Sequence, residues 1–162
     1  MAAASCPGGV ARQYGSAGQP TRELTEGAHL MGRLVVTEYI SIDGVVEAPS
    51  GTEQFARIGW TDHFSRGPDG DQFKVDETTA ADAQLLGRVT YELFAESWPH
   101  YEGEFADRFN GMPKYVVSTT LNDPQWTNTK VLKGDPVEEV ARLKALYERD
   151  ILVHGSPSCA RP

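Results

Sequence analysis

The residue types best suited to chemistry are gathered in Ala83-Gln84-Leu85-Leu86-Gly87-Arg88-Val89-Thr90-Tyr91-Glu92. A short apolar run stops at a glycine, presents an arginine and turns into a helix expected over 91–97. Thr90 is placed to be its N-cap and Pro99 its stop. Where a strand end meets a helix start, unpaired backbone N–H groups and the positive end of the helix dipole share one spot. That spot suits a phosphate, and Arg88 would add a planar, permanently charged fork. The plainer alternative is an ordinary strand-to-helix turn carrying a solvated arginine.

Three more ligand-type residues stand where apolar runs end. Asp43-Gly44 follows the run 34–40, Ser118-Thr119-Thr120 follows 114–117, and Gly155-Ser156 follows 151–153. Hydroxyls at 118–120 can hold a phosphate or ribose, and they can equally cap a turn. Glycine after a buried strand allows close backbone approach, a second seat for an anion. Four strand ends of this kind point to a nucleotide-like ligand beyond the carboxyl ends of a sheet.

Other chemistries lack their residues. Asp69-Gly70-Asp71 misses the calcium-loop pattern, because Phe73 stands where a third ligand belongs. His29, His63, His100 and His154 show no ligand spacing, and Cys6 and Cys159 form no metal pair or disulfide framework, so no metal is expected. A zinc deaminase needs His-x-Glu and Pro-Cys-x-x-Cys, and neither is present. The net charge of −8 has no basic stripe against it, which disfavours nucleic acid as a partner. No apolar run approaches the roughly 20 residues of a membrane span. A cytoplasmic protein with a small-molecule substrate is expected, and exposed sheet edges make a homo-oligomer conceivable.

The elements that must position these residues can be read in turn. Residues 1–30 are small, turn-prone and aperiodic, and are expected to form a disordered extension; translation from Met31 is an alternative. Residues 34–40 predict a buried strand, and 47–70 a long loop. That loop is either a flap over a site or a segment pinned to the core by Phe55, Trp60 and Phe64. Residues 71–82 predict a modest helix with Phe73, Ala80 and Ala81 inward and its acids in water. An irregular acidic segment runs to Met112, followed by strands at 114–118 and 129–132. Asp135-Pro136-Val137-Glu138 is a helix start with an N-cap acid, a first-position proline and a glutamate placed to bond back. Val137, Val140, Ala141, Leu143 and Tyr147 are its apolar face, through about residue 149. Alternating strands and helices predict one α/β domain with a mostly parallel sheet, and 40% hydrophobic residues suffice for its core.

Taken in order and spacing, four segments carry a family resemblance over 31–156. They are Ser41-Ile42-Asp43-Gly44-Val45, Leu85-Leu86-Gly87-Arg88-Val89-Thr90-Tyr91-Glu92, Pro113-Lys114-Tyr115-Val116-Val117-Ser118 and Leu152-Val153-His154-Gly155-Ser156. Together they resemble the dihydrofolate reductase-like superfamily, close to the reductase domain of the bifunctional riboflavin-biosynthesis deaminase/reductase. The resemblance implies a three-layer fold and an NADPH-dependent reductase. Its substrate would be a small heterocyclic or ribosyl compound of the 5-amino-6-(5-phosphoribosylamino)uracil kind. It implies that Gly87, Arg88, Val89 and Thr90 meet the adenosine 2′-phosphate and pyrophosphate. Ser118 and Thr119 would border the adenine ribose, and Gly155 and Ser156 would approach the pyrophosphate. Asp43 and Gly44 would open a loop over nicotinamide, while Phe94 and Trp98 would form substrate wall or pack into the core. No general acid is selected among Asp71, Asp76 and Glu77. Family members continue past the Gly-Ser turn with a helix and further strands. Residues 157–162 carry neither signal, so a C-terminally truncated domain is expected, and an inactive remnant or nucleotide-binding module is the alternative function.

Overall fold

The computed structural model describes residues 31–49 and 59–155. The N-terminal extension, Phe55, Ser156 and the segment 157–162 lie outside the described residues. Five strands form the sheet: β1 (Arg33–Thr37), β2 (Ala81–Gly87), β3 (Lys114–Val117), β4 (Thr129–Leu132) and β5 (Asp150–His154). Among the described residues four α-helices accompany them: α1 (Gly67–Ala80), α2 (Arg88–Ser97), α3 (Glu104–Gly111) and α4 (Pro136–Leu146). The strand order is β1-β5-β2-β3-β4, and every pairing is parallel. All carboxyl ends therefore share one edge, as the sequence predicts.

Chain direction explains the layers. The steps from β1 to β2, β3 and β4 all move one way across the sheet, whereas β4 to β5 returns the other way. With right-handed crossovers, that reversal puts α4 on the opposite face from α1, α2 and α3. Side-chain alternation agrees. Leu85, Ile151 and Val153 pack with Leu143 of α4, while Leu86 and Val116 pack with Tyr91 of α2 and Phe109 of α3. Both faces of β2 and β5 are thus covered, which is why these strands read as nearly continuous apolar runs.

Several local expectations are corrected. The first helix starts at Gly67 with Pro68 in its opening turn and ends at Ala80, and Ala81 already belongs to β2. Phe73 is 61% exposed, so it does not mark the inner face. That face carries Thr78, fully buried, with Lys74 and Glu77 partly covered. The segment before Met112 is helical, with Ala106 and Phe109 inward. α4 begins as foreseen, the Asp135 carboxylate accepting from the N–H groups of Val137 and Glu138 at 3.0 and 3.1 Å. Glu138, however, pairs forward with Arg142 at 3.1 Å, Val137 is 78% exposed, and the helix stops at Leu146. In the long loop, the Trp60 indole donates to the Glu47 carbonyl, whereas Phe64 lies in solvent.

Candidate functional site

The turn from β2 to α2 is tighter than its sequence suggests. Gly87, in extended conformation, is the N-cap, and the helix begins at Arg88 itself. Thr90 therefore lies within the first turn. Its hydroxyl donates to the Gly155 carbonyl at 2.5 Å instead of capping the helix. Gly155 has φ +54°, and a Cβ there would come within 3.2 Å of the Thr90 methyl. Thr90 thus ties the turn after β5 to the start of α2, joining two of the four strand ends.

Arg88 reaches the third. It lines a cleft of about 380 Å³ with Val117, Ser118, Thr119, Thr120, Leu132, Gly134 and Pro136. The cleft spans the carboxyl ends of β3 and β4 and the first turn of α4. Val117, Leu132 and Pro136 supply apolar surface, and Thr119 and Thr120 are exposed hydroxyls. The Ser118 oxygen accepts the N–H groups of Thr120 and Leu121 at 3.2 and 3.0 Å, so it shapes the turn. Ser118 thus caps its own turn while also lining the cleft. Arg88 gives Nη1 to both carboxylate oxygens of Glu92, at 2.9 and 2.8 Å. Among the described residues its Nε and Nη2 have no protein partner.

The remaining expected residues lie elsewhere. Val89 is 56% exposed on α2. Asp43 and Gly44 (φ +87°) sit in a tight exposed turn closed by Ser41, whose hydroxyl bonds the Asp43 carboxylate at 2.6 Å and accepts the Val45 N–H. Phe94 and Trp98 pack into an aromatic cluster with Phe109 and Trp126 and do not line the cleft. Packing into the core is thus what their rings are seen to do.

A polar cluster at the β1 end escaped the sequence reading. Thr37, the last residue of β1, stands in register with His154 of β5. Lys74 of α1 donates to the Thr37 hydroxyl at 2.8 Å and to Glu77 Oε2 at 2.5 Å, and Thr37 also reaches Glu77 at 3.2 Å. The Lys74 and Glu77 side chains are 19% and 11% exposed. Asp71 instead pairs with Arg66, and Asp76 takes the Gln72 amide, both at the surface. Of the three candidate acids, Asp71, Asp76 and Glu77, the structure turns only Glu77 toward the sheet. Three strand spacings, about 14 Å, separate this cluster from the Arg88 cleft along the carboxyl edge.

His154 itself is buried beside the Phe94 and Phe109 rings. Burial first, and the Lys74 charge second, push its pKa down to about 3. The folded protein therefore keeps this imidazole neutral, while an unfolded chain takes up a proton below about pH 6.5. Stability must then fall as pH drops from about 6.5 toward 3. Between pH 7 and pH 5 the protein should lose about 2 kcal/mol more than a His154→Gln variant. Urea unfolding at the two pH values checks this, and parallel losses would refute it.

No helix among the described residues is long and apolar enough to cross a membrane. A family model described as the RibD C-terminal domain matches residues 33–161. No curated protein matches the chain. Among solved structures, the chain resembles a Shewanella sp. PV-4 protein described as a riboflavin biosynthesis protein, with TM-score 0.58 and 18% identity. The likeness covers 78% of this chain and spans 66% of that protein's length, and it is a likeness of fold.

Proposed function

The chain belongs to the RibD C-terminal domain family, and from that premise we propose that it is a reductase using NADPH on a ribosylaminouracil-type heterocycle. The observation that carries the cofactor assignment is that Arg88 lines a cleft at the β3 and β4 ends together with Ser118, its Nε and Nη2 unengaged among the described residues. Guanidinium forks and hydroxyls bind phosphate and ribose, and apolar side chains bind a base edge. The donor set therefore fits the adenosine 2′-phosphate end of the dinucleotide.

When bound, the reduced nicotinamide supplies the hydride. The chain's own residues bind, orient and exclude water. Arg88 takes the extra phosphate, and Thr90 fixes the Gly155 turn so that backbone can approach the ligand closely. At the far end of the carboxyl edge, Glu77 and Lys74, bonded to each other and each to the Thr37 hydroxyl, are groups able to hold a proton near a reacting heterocycle.

Thermal melting with and without NADPH tests the assignment. A ligand that binds only the folded form at a hundredfold over its Kd adds about 2.7 kcal/mol, a midpoint rise of several degrees. NADPH oxidation with added phosphoribosylaminouracil then tests turnover. A clear melting shift without oxidation would assign the chain as a nucleotide-binding module, and no shift at millimolar NADPH would remove the cofactor site.

A further inference from the structure

Glu92 is the only protein partner of Arg88 among the described residues, and it engages Nη1 alone. The pair sits at i,i+4 on α2, with side chains 43% and 47% exposed. Exposed pairs of this kind contribute little to stability. Their electrostatic effect on a third charge is larger. Among the described residues the others lining the cleft are uncharged, so Arg88 is the one cation they supply and Glu92 offsets its charge locally.

We propose that Glu92 sets the cofactor preference of the cleft, holding Arg88 ready while restraining its pull on an additional phosphate. This rests on the reading of the cleft as the adenosine 2′-phosphate site. Two consequences follow from the one contact. Anchoring Nη1 holds the guanidinium in one orientation and leaves Nε and Nη2 for an incoming anion. The carboxylate, one side chain behind that anion, also repels it. An unphosphorylated dinucleotide feels little of this repulsion, so Glu92 narrows the gap between NADPH and NADH.

Glu92→Gln separates the two effects, because the amide oxygen can still accept from Nη1 while the negative charge is gone. Affinities for NADPH and NADH are measured by calorimetry for wild type, E92Q, R88A and the double variant, at low and high salt. E92Q should raise the NADPH-to-NADH affinity ratio about fivefold at low salt, through tighter NADPH, with a smaller rise at high salt. In the R88A background the same substitution should change the ratio little, since the fork it restrains is absent. A ratio that stays level or falls in E92Q, with wild type binding NADPH, overturns the role of Glu92 alone. Wild type binding neither cofactor overturns the cleft assignment and this inference together.

Discussion

Arg88→Ala should weaken NADPH binding by about ten- to a hundredfold and NADH by less than about threefold. A hydrogen bond to a charged group contributes about 1.5–3 kcal/mol, and among the described residues Arg88 is the only charged side chain lining the cleft. Its loss removes the phosphate's charged contact and leaves Val117, Leu132 and Pro136 for the base. The substitution should leave the fold unharmed, because the guanidinium is solvent-accessible and its one partner, Glu92, is returned to water. Fluorescence titration of the two cofactors, with melting curves as a control, provides the comparison. Equal losses for NADPH and NADH would show that Arg88 serves a group common to both and does not read the extra phosphate.

The strands at β3, β4 and β5 and the start of α4 were legible because each is governed by local chemistry. These are apolar runs ended by turn residues, and an acid followed by proline. α3 was not. Its charged surface residues, Glu104, Asp107 and Arg108, mask the inward positions Phe105, Ala106 and Phe109, although aromatic residues four apart were a signal. α1 was found with the wrong face, since Phe73 is the most apolar residue there and yet lies in solvent. Its true inner face is polar where Lys74 and Glu77 meet the Thr37 hydroxyl at the end of β1. Tertiary pairing, absent from any window of sequence, decided that case.

The site follows the same division. Arg88 and Ser118 were legible because each ends a strand, and parallel pairing brings strand ends to one edge. The role of Thr90 was misread, since an N-cap position and a first-turn position differ by the conformation of one glycine. Leu132, Gly134 and Pro136 were missed as cleft residues because nothing local shows that the first turn of α4 folds back beside β3. Glu77 could not be told from Asp71 and Asp76 until the helix had been placed against β1.

Lys114→Met should lower stability by about 3 kcal/mol and the melting midpoint by about 10 °C. Lys114 is fully buried at the start of β3, a position where an ammonium group is rare. Burial pushes its pKa down to about 8, so near neutrality it remains mostly charged. Three backbone carbonyls hold it: Asn110 at 2.5 Å, Met112 at 2.9 Å and Thr127 at 3.2 Å. The Trp126 ring adds a π face, its centroid 4.2 Å from Nζ. These contacts tie the end of α3 to the loop before β4, and Trp126 repeats the tie by donating to the Asn110 side chain at 2.8 Å. Methionine matches the length of the stem but offers no donor, leaving three acceptors to share whatever water enters. Since Lys114 lies at the amino end of β3 and Arg88 serves the carboxyl edge, NADPH affinity measured well below the new midpoint should be unchanged. A variant that melts like wild type would show that the carbonyl cage is dispensable. One that folds normally but loses NADPH would show that the two ends of β3 are coupled.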